Sequence, residues 1–267
     1  VYPMITPTKL MRQQKGFTLV EIAITLFIVA LLMGGLLPTL SSQIEQRRNS
    51  DTTQQLNDIK DALIGFAIIN GRLPCPAFGS SNSLESFASG GSASNGNCLN
   101  SPNDYNGFLP AATLGLSGSM DSSGYLLDSW GNRIRYAVTS WNNVFTTAGG
   151  IRSTGISNLP TSGTPYLQVC STASGSTNIQ CSSSSTTLTA SPGVPAVIYS
   201  TGKNGAYGGT GTDEAENPNP NSADNDRVFV SHTPAPSGAP NGYFDDIVTW
   251  MSQTVLINKM VAAGMLP

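Results

Sequence analysis

Residues 17–37, FTLVEIAITLFIVALLMGGLL, run for 21 positions with Glu21 as their only charged side chain. As a helix rising about 1.5 Å per residue, such a segment reaches roughly 30 Å, the thickness of a bilayer's hydrocarbon core. It is apolar on every side, so it does not read as the half-wet surface helix of a globular domain. It reads as membrane-spanning. Lys9, Arg12 and Lys15 precede it, while Glu45, Arg47 and Arg48 follow. The basic residues ahead of the span favour a cytoplasmic N-terminus, a bias that Arg47 and Arg48 weaken. The segment after it, LPTLSSQIEQRRNS, offers no small-x-small site, so an anchor fits better than a cleaved secretory signal. Glu21 remains to be explained. A carboxylate at the centre of a membrane helix costs about 2.5–3.5 kcal/mol. Near the N-terminal end the cost is smaller and the helix dipole favours the acid, so a carboxylate that merely reaches the interface is the plain alternative.

The stretch KGFTLVE resembles the processing site of type IV prepilins and the related pseudopilins. The resemblance is close over about residues 11–40. It implies that residues 1–16 are a leader, removed after Gly16 by a prepilin peptidase on the cytoplasmic side, and that Phe17 then becomes the N-methylated first residue. Glu21 would be the fifth mature residue, where that family keeps a glutamate, and Pro38 the twenty-second, where pilins commonly carry a helix-loosening proline. Met11 is the expected start, which gives the leader MRQQKG. The chemistry suits such a role. Cleavage creates an α-amino cation at an apolar helix end, and the Glu21 carboxylate can pair with it, in its own helix or across subunits. In a low dielectric that pair is much better than either charge alone. The implied protein is a single-pass inner-membrane subunit with a cytoplasmic N-terminus and a periplasmic head. It would later enter a periplasmic or extracellular filament, with the peptidase/N-methyltransferase and other pilin subunits as partners.

Residues 17–38 are therefore read as the membrane and assembly helix, 39–70 as its amphipathic continuation, and 71–267 as the head. Leu56, Ile59, Leu63 and Phe66 recur at three- and four-residue steps, and Asn70-Gly71 followed by Pro74 ends the helix. A stripe of this kind needs cover, which a sheet laid across it supplies. Residues 78–103 are rich in Gly, Ser and Asn and read as loop. In GYLLDSWGNRIRYAV a turn at Trp130-Gly131-Asn132 leads into a strand at 134–138; DSWGNRIRY also resembles a stretch of pseudopilin heads. Further strands are expected at 166–170, 196–200 and 227–231. The C-terminal segment reads as a helix, or a strand then a helix, with Asp245 or Asp246 as N-cap and Gly264 as stop. The fold class expected is α+β: a long N-terminal transmembrane and amphipathic helix packed on a mainly antiparallel β-sheet head, as in pilins.

Charged residues make up 11% of the chain and the net charge is −3, against about 25% charged in an average domain. No basic field points to nucleic acid. Cys75, Cys98, Cys170 and Cys181 contain no C-x-x-C pair, so zinc is poorly supported; Cys75 with Cys98 and Cys170 with Cys181 is the simplest of three disulfide pairings. No cofactor is required. Asp213, Glu214, Glu216, Asp224 and Asp226 gather hard oxygens that could ligate Ca²⁺, although their spacing is not that of an EF-hand, and a solvated acidic loop is the plainer account. Some pseudopilins hold calcium in a head loop, which the resemblance adds to that idea. His232, the single histidine, lacks a G-x-S-x-G serine to serve and reads as a surface or packed side chain. Trp130, Trp141 and Trp250 read as core or sheet residues. The function expected is structural, with no enzymatic activity: a minor pilin or pseudopilin. The alternative is a singly anchored periplasmic binding domain that does not polymerise.

Overall fold

A computed structural model describes residues 16–79, 81–99, 105–183, 185–205, 211–217 and 226–266; the side chains of 34–40 lie outside the described set. Residues 1–15, read above as a leader, and Asp224 are also outside it, as is the side chain of Pro38. Two compact units divide between Arg47 and Arg48. Helix α1, Leu19–Asn70, contributes to both.

In the first unit the described side chains from Phe17 to Met33 are exposed, including Leu19 at 88% and Phe27 at 66%. Among the described residues, no helix is long and apolar enough to cross a membrane.

The second unit is built around a four-stranded antiparallel sheet. Its strands are β1 Tyr105–Phe108, β2 Arg135–Val138, β4 Ala196–Ser200 and β6 Ile247–Met251, ordered β1-β2-β4-β6. Strands β3, Gln168–Cys170, and β5, Val228–Val230, pair in parallel as a separate two-stranded sheet. Period-two alternation sorts the larger sheet's side chains between two cores. Tyr136, Val138, Ala196, Ile198 and Met251 join Leu56, Ile59, Leu63 and Ala67 of α1. Ala137, Val197 and Tyr199 join Leu167, Val169 and Phe229 on the other side. Along the α1 stripe Leu56, Ile59 and Leu63 are buried, Leu56 and Leu63 at 0% exposure, while Phe66 is half-buried beneath the Arg72 guanidinium; each buried side chain contributes about 1.5–3 kcal/mol. Polar contacts fix the helix in place: Gln55 Nε2 donates to the Leu127 carbonyl at 3.0 Å, and the Ser129 N–H to Thr52 Oγ1 at 3.3 Å. Short helices α2 (Ala111–Leu114), α3 (Gly150–Thr154) and α4 (Thr212–Glu216) punctuate the loops, and α5, Gln253–Ala262, ends the head.

The expected turn at Trp130-Gly131-Asn132 is held by Asp128, whose Oδ1 accepts from the N–H groups of Trp130 and Asn132 at 2.9 and 2.8 Å. Cys75 bonds to Cys98 and Cys170 to Cys181, with Cα separations of 5.4 and 5.6 Å. At the C-terminus the arrangement is strand then helix. The N-cap of α5 is Ser252, not Asp245 or Asp246, which lie just ahead of β6. The spacing of Ile247, Trp250 and Met251 imitates a helix because β6 is packed on both faces: Ile247 and Met251 meet one core, Val248 and Trp250 the other. Strand β1 was not expected at all; YNGF has no apolar alternation, and its pairing with β2 defines it.

Candidate functional site

Two carboxylate settings stand out. The first is the N-terminal end of α1. Thr18 is the N-cap residue, and its carbonyl accepts the first helical bond from the Ile22 N–H at 3.2 Å. Its side chain and that of Glu21, three residues on, bind reciprocally. The Glu21 N–H donates to Thr18 Oγ1 at 3.3 Å, and Glu21 Oε2 accepts from both the N–H and the hydroxyl of Thr18 at 3.1 Å. This is a capping box, which satisfies backbone donors that the first turn otherwise leaves open. The pattern T-L-V-E carries this capping signal in the sequence itself. Glu21 thus has a partner within its own helix as well as the helix dipole. Gly16 sits in open space: an added Cβ would meet nothing within 4 Å, and its φ is not positive. The fold itself makes no demand for glycine there.

The second setting is in the head. Glu214 of α4 and the consecutive Asp245 and Asp246 bring carboxylate oxygens within 4.8 Å of one another. Glu214 is 1% exposed and Asp246 6%. One oxygen of each aspartate is satisfied. Asp245 Oδ2 accepts from the Lys203 N–H at 2.9 Å and from the Tyr243 hydroxyl at 3.0 Å, and Asp246 Oδ2 accepts from Asn217 Nδ2 at 2.8 Å. Asp246 Oδ1 is buried without a hydrogen bond, while Asn204 and Asp245 bond to Glu214. Burial, and then the mutual repulsion of these acids, pushes Asp246 up to about 8 against the pull of Asn217. Burial also raises Glu214; Asn204 draws it back, and Asp245 adds to the rise. Burial, with Asp226 and Asp213 nearby, lifts Glu216 to about 7. The offsetting groups for Glu214 and Asp246 are amides rather than cations, so the negative charge is spread but not neutralised.

Of the acids read from the sequence as possible Ca²⁺ ligands, only Glu214 belongs to this cluster among the described residues. Asp213 instead accepts from Thr172 Oγ1, the Ala173 N–H and Asn241 Nδ2 at 2.9, 2.7 and 2.9 Å. Asp226 Oδ1 accepts from the Val228 N–H at 3.0 Å. His232 Nε2 lies 3.2 Å from Asp213 Oδ2, its Nδ1 lies 2.7 Å from the Thr233 carbonyl, and its ring stacks on Phe244. Both nitrogens face those acceptors, an arrangement unlike that of a serine-activating base.

No curated protein and no solved structure matches the chain. Residues 11–37 match the family model described as the Prokaryotic N-terminal methylation motif. The chain therefore carries a prepilin-type N-terminal methylation motif, consistent with the type IV pilin and pseudopilin family.

Proposed function

We propose that this chain is a type IV pilin-like filament subunit, a minor pilin or pseudopilin, cut after Gly16, N-methylated on Phe17 and held in the inner membrane by residues 17–38 until it assembles. The carrying observation is an apolar helix end whose described side chains are exposed from Phe17 to Met33, with one carboxylate at its third position. An apolar surface of this extent calls for lipid or protein cover. A glycine with no steric reason to be one suits a site that a peptidase reads. In the assembled state Glu21 pairs with the Phe17 amine of its own or a neighbouring chain. The loop-rich head and its low charge support a minor subunit over a major one.

Intact-mass measurement of the membrane-extracted protein tests the processing. The expected chain begins at Phe17 and carries one added methyl group; a chain retaining MRQQKG in the presence of the peptidase overturns the proposal. Glu21→Gln tests the assembly. Glutamine still completes a capping box but carries no charge, so incorporation into filaments should fall at least tenfold. Normal incorporation of Glu21→Gln would leave Glu21 as a helix cap alone; failure of the unsubstituted chain to enter filaments would leave it a singly anchored protein.

A further inference from the structure

We propose that Asn204 modifies itself: its side-chain amide closes onto the Gly205 nitrogen and then opens to aspartate and isoaspartate. The dipeptide Asn-Gly occurs five times, at Asn70, Asn95, Asn106, Asn204 and Asn241. Glycine favours this cyclisation in general, because no side chain shields the attacking nitrogen. The fold separates the five. The Gly71 N–H donates to the Ala67 carbonyl at 2.8 Å, the Gly96 N–H to the Ser92 carbonyl at 2.8 Å, and the Gly242 N–H to the Ala239 carbonyl at 3.0 Å. Gly107 lies within β1 opposite Tyr136, next to the buried Asn106. Among the described residues no hydrogen bond reaches the Gly205 N–H. Asn204 is exposed in the turn after β4, where water reaches it. Only glycine fits at 205, since at φ +56 an added Cβ would collide with Asn132.

The amides do not discriminate in this way. Asn70 donates to the Phe66 carbonyl, Asn95 to the Gly90 carbonyl, Asn241 to Thr172 and Asp213, and Asn204 bonds to Glu214. What sets Asn204 apart is the nucleophile. A bonded N–H must first be released by local opening; the Gly205 N–H needs none. In the first step that nitrogen gives its proton to solvent and bonds to Asn204 Cγ. The Cγ–Nδ2 bond breaks, and ammonia leaves with a proton taken from water. Water then adds to the succinimide ring: opening at Cγ gives aspartate, and opening at the main-chain carbonyl gives isoaspartate. In sum, one amide and one water become one carboxylate and one ammonium, with nothing oxidised or reduced. The product bears on the acidic cluster. Conversion replaces the amide that offsets Glu214 with a carboxylate, so a further like charge meets buried acids and α4 loosens as the protein ages. This concerns the head alone and holds whether or not the chain polymerises.

The test incubates the full chain in detergent at neutral pH and body temperature for several days, with a parallel sample in urea. Peptide mass spectrometry reads the gain of about 1 Da at each site, and an isoaspartyl methyltransferase reads the rearranged product. In the folded chain residue 204 should convert at least tenfold faster than the other four asparagines, and in urea that lead should vanish. This comparison uses no variant, so it decides the chemistry whether or not substituted chains fold. Asn204→Asp, which installs the aspartyl product, should melt about 3 °C lower than the unsubstituted chain. Adding Glu214→Gln should recover at least half of that loss. The proposal is overturned if another Asn-Gly site converts as fast in the folded chain, if residue 204 keeps its tenfold lead in urea, or if no isoaspartate forms. It is equally overturned if Asn204→Asp melts no lower, or if Glu214→Gln recovers nothing.

Discussion

Glu21 and Glu214 both sit in the first turn of a helix, and they differ in every other respect. Glu21 is exposed among exposed apolar neighbours and makes three hydrogen bonds with Thr18, its N-cap residue. Glu214 is sealed inside the head with two other carboxylates, and what offsets its charge is Asn204 rather than a cation. The same functional group is locally complete in one place and dependent on another loop in the other. A locally complete acid can be handed to a new partner without unfolding anything. A dependent one ties the fold to the group that offsets it.

The largest effect expected from this contrast concerns a third acid, Asp128, which is buried and complete. Besides the two turn N–H groups, its Oδ2 accepts from Ser200 Oγ at 2.5 Å, and it is 5% exposed. Asp128→Ala should lower head stability by about 3 kcal/mol in urea unfolding, the loss of several hydrogen bonds to a charged acceptor. Glu214→Gln should cost nothing. Equal losses in the two variants would erase the distinction between a fully hydrogen-bonded buried acid and a crowded one.

These acids also show what the sequence disclosed. Glu21 was conspicuous because a single charge in an apolar run has no camouflage, and Leu56, Ile59 and Leu63 betrayed α1 because helical spacing and burial coincide. β4 was equally plain, since AVIYS is rich in β-branched and aromatic residues. The acidic cluster was not visible as such. Glu214 was noticed with its sequence neighbours, whereas its spatial partners lie some thirty positions on, brought over when β6 pairs with β4. Asp245 and Asp246 misled because an acid before an apolar run is also how a helix begins. Local chemistry was legible; chemistry assembled by strand pairing was not.

A pH titration separates the two settings with a smaller effect. Asp246 at about 8 and Glu216 at about 7 stand above their ordinary 3.8 and 4.5. Across that window the folded head binds more protons than the unfolded chain. Stability therefore falls as pH rises: it is fully present below about pH 4 and is lost as pH climbs through 7 and 8. The melting temperature should decline between pH 4 and 8. A flat or rising profile over that range would mean that the acids of the head are already compensated.

The smallest effect tests the other side of the comparison. Thr18→Ala removes the hydroxyl that accepts from the Glu21 N–H and one of the two donors to the Glu21 carboxylate, leaving the charge in place. Loss of an N-cap side chain costs about 1 kcal/mol, so amide exchange at residues 19–21 should quicken about fivefold in micelles, with no change in the head. Filament incorporation should survive, because the acid needed to meet an incoming amine remains and has lost a competitor. If Thr18→Ala blocked incorporation while Glu21→Gln allowed it, the helix cap rather than the charge would be what assembly requires. The two variants reverse each other's losses, so together they assign Glu21 to one role.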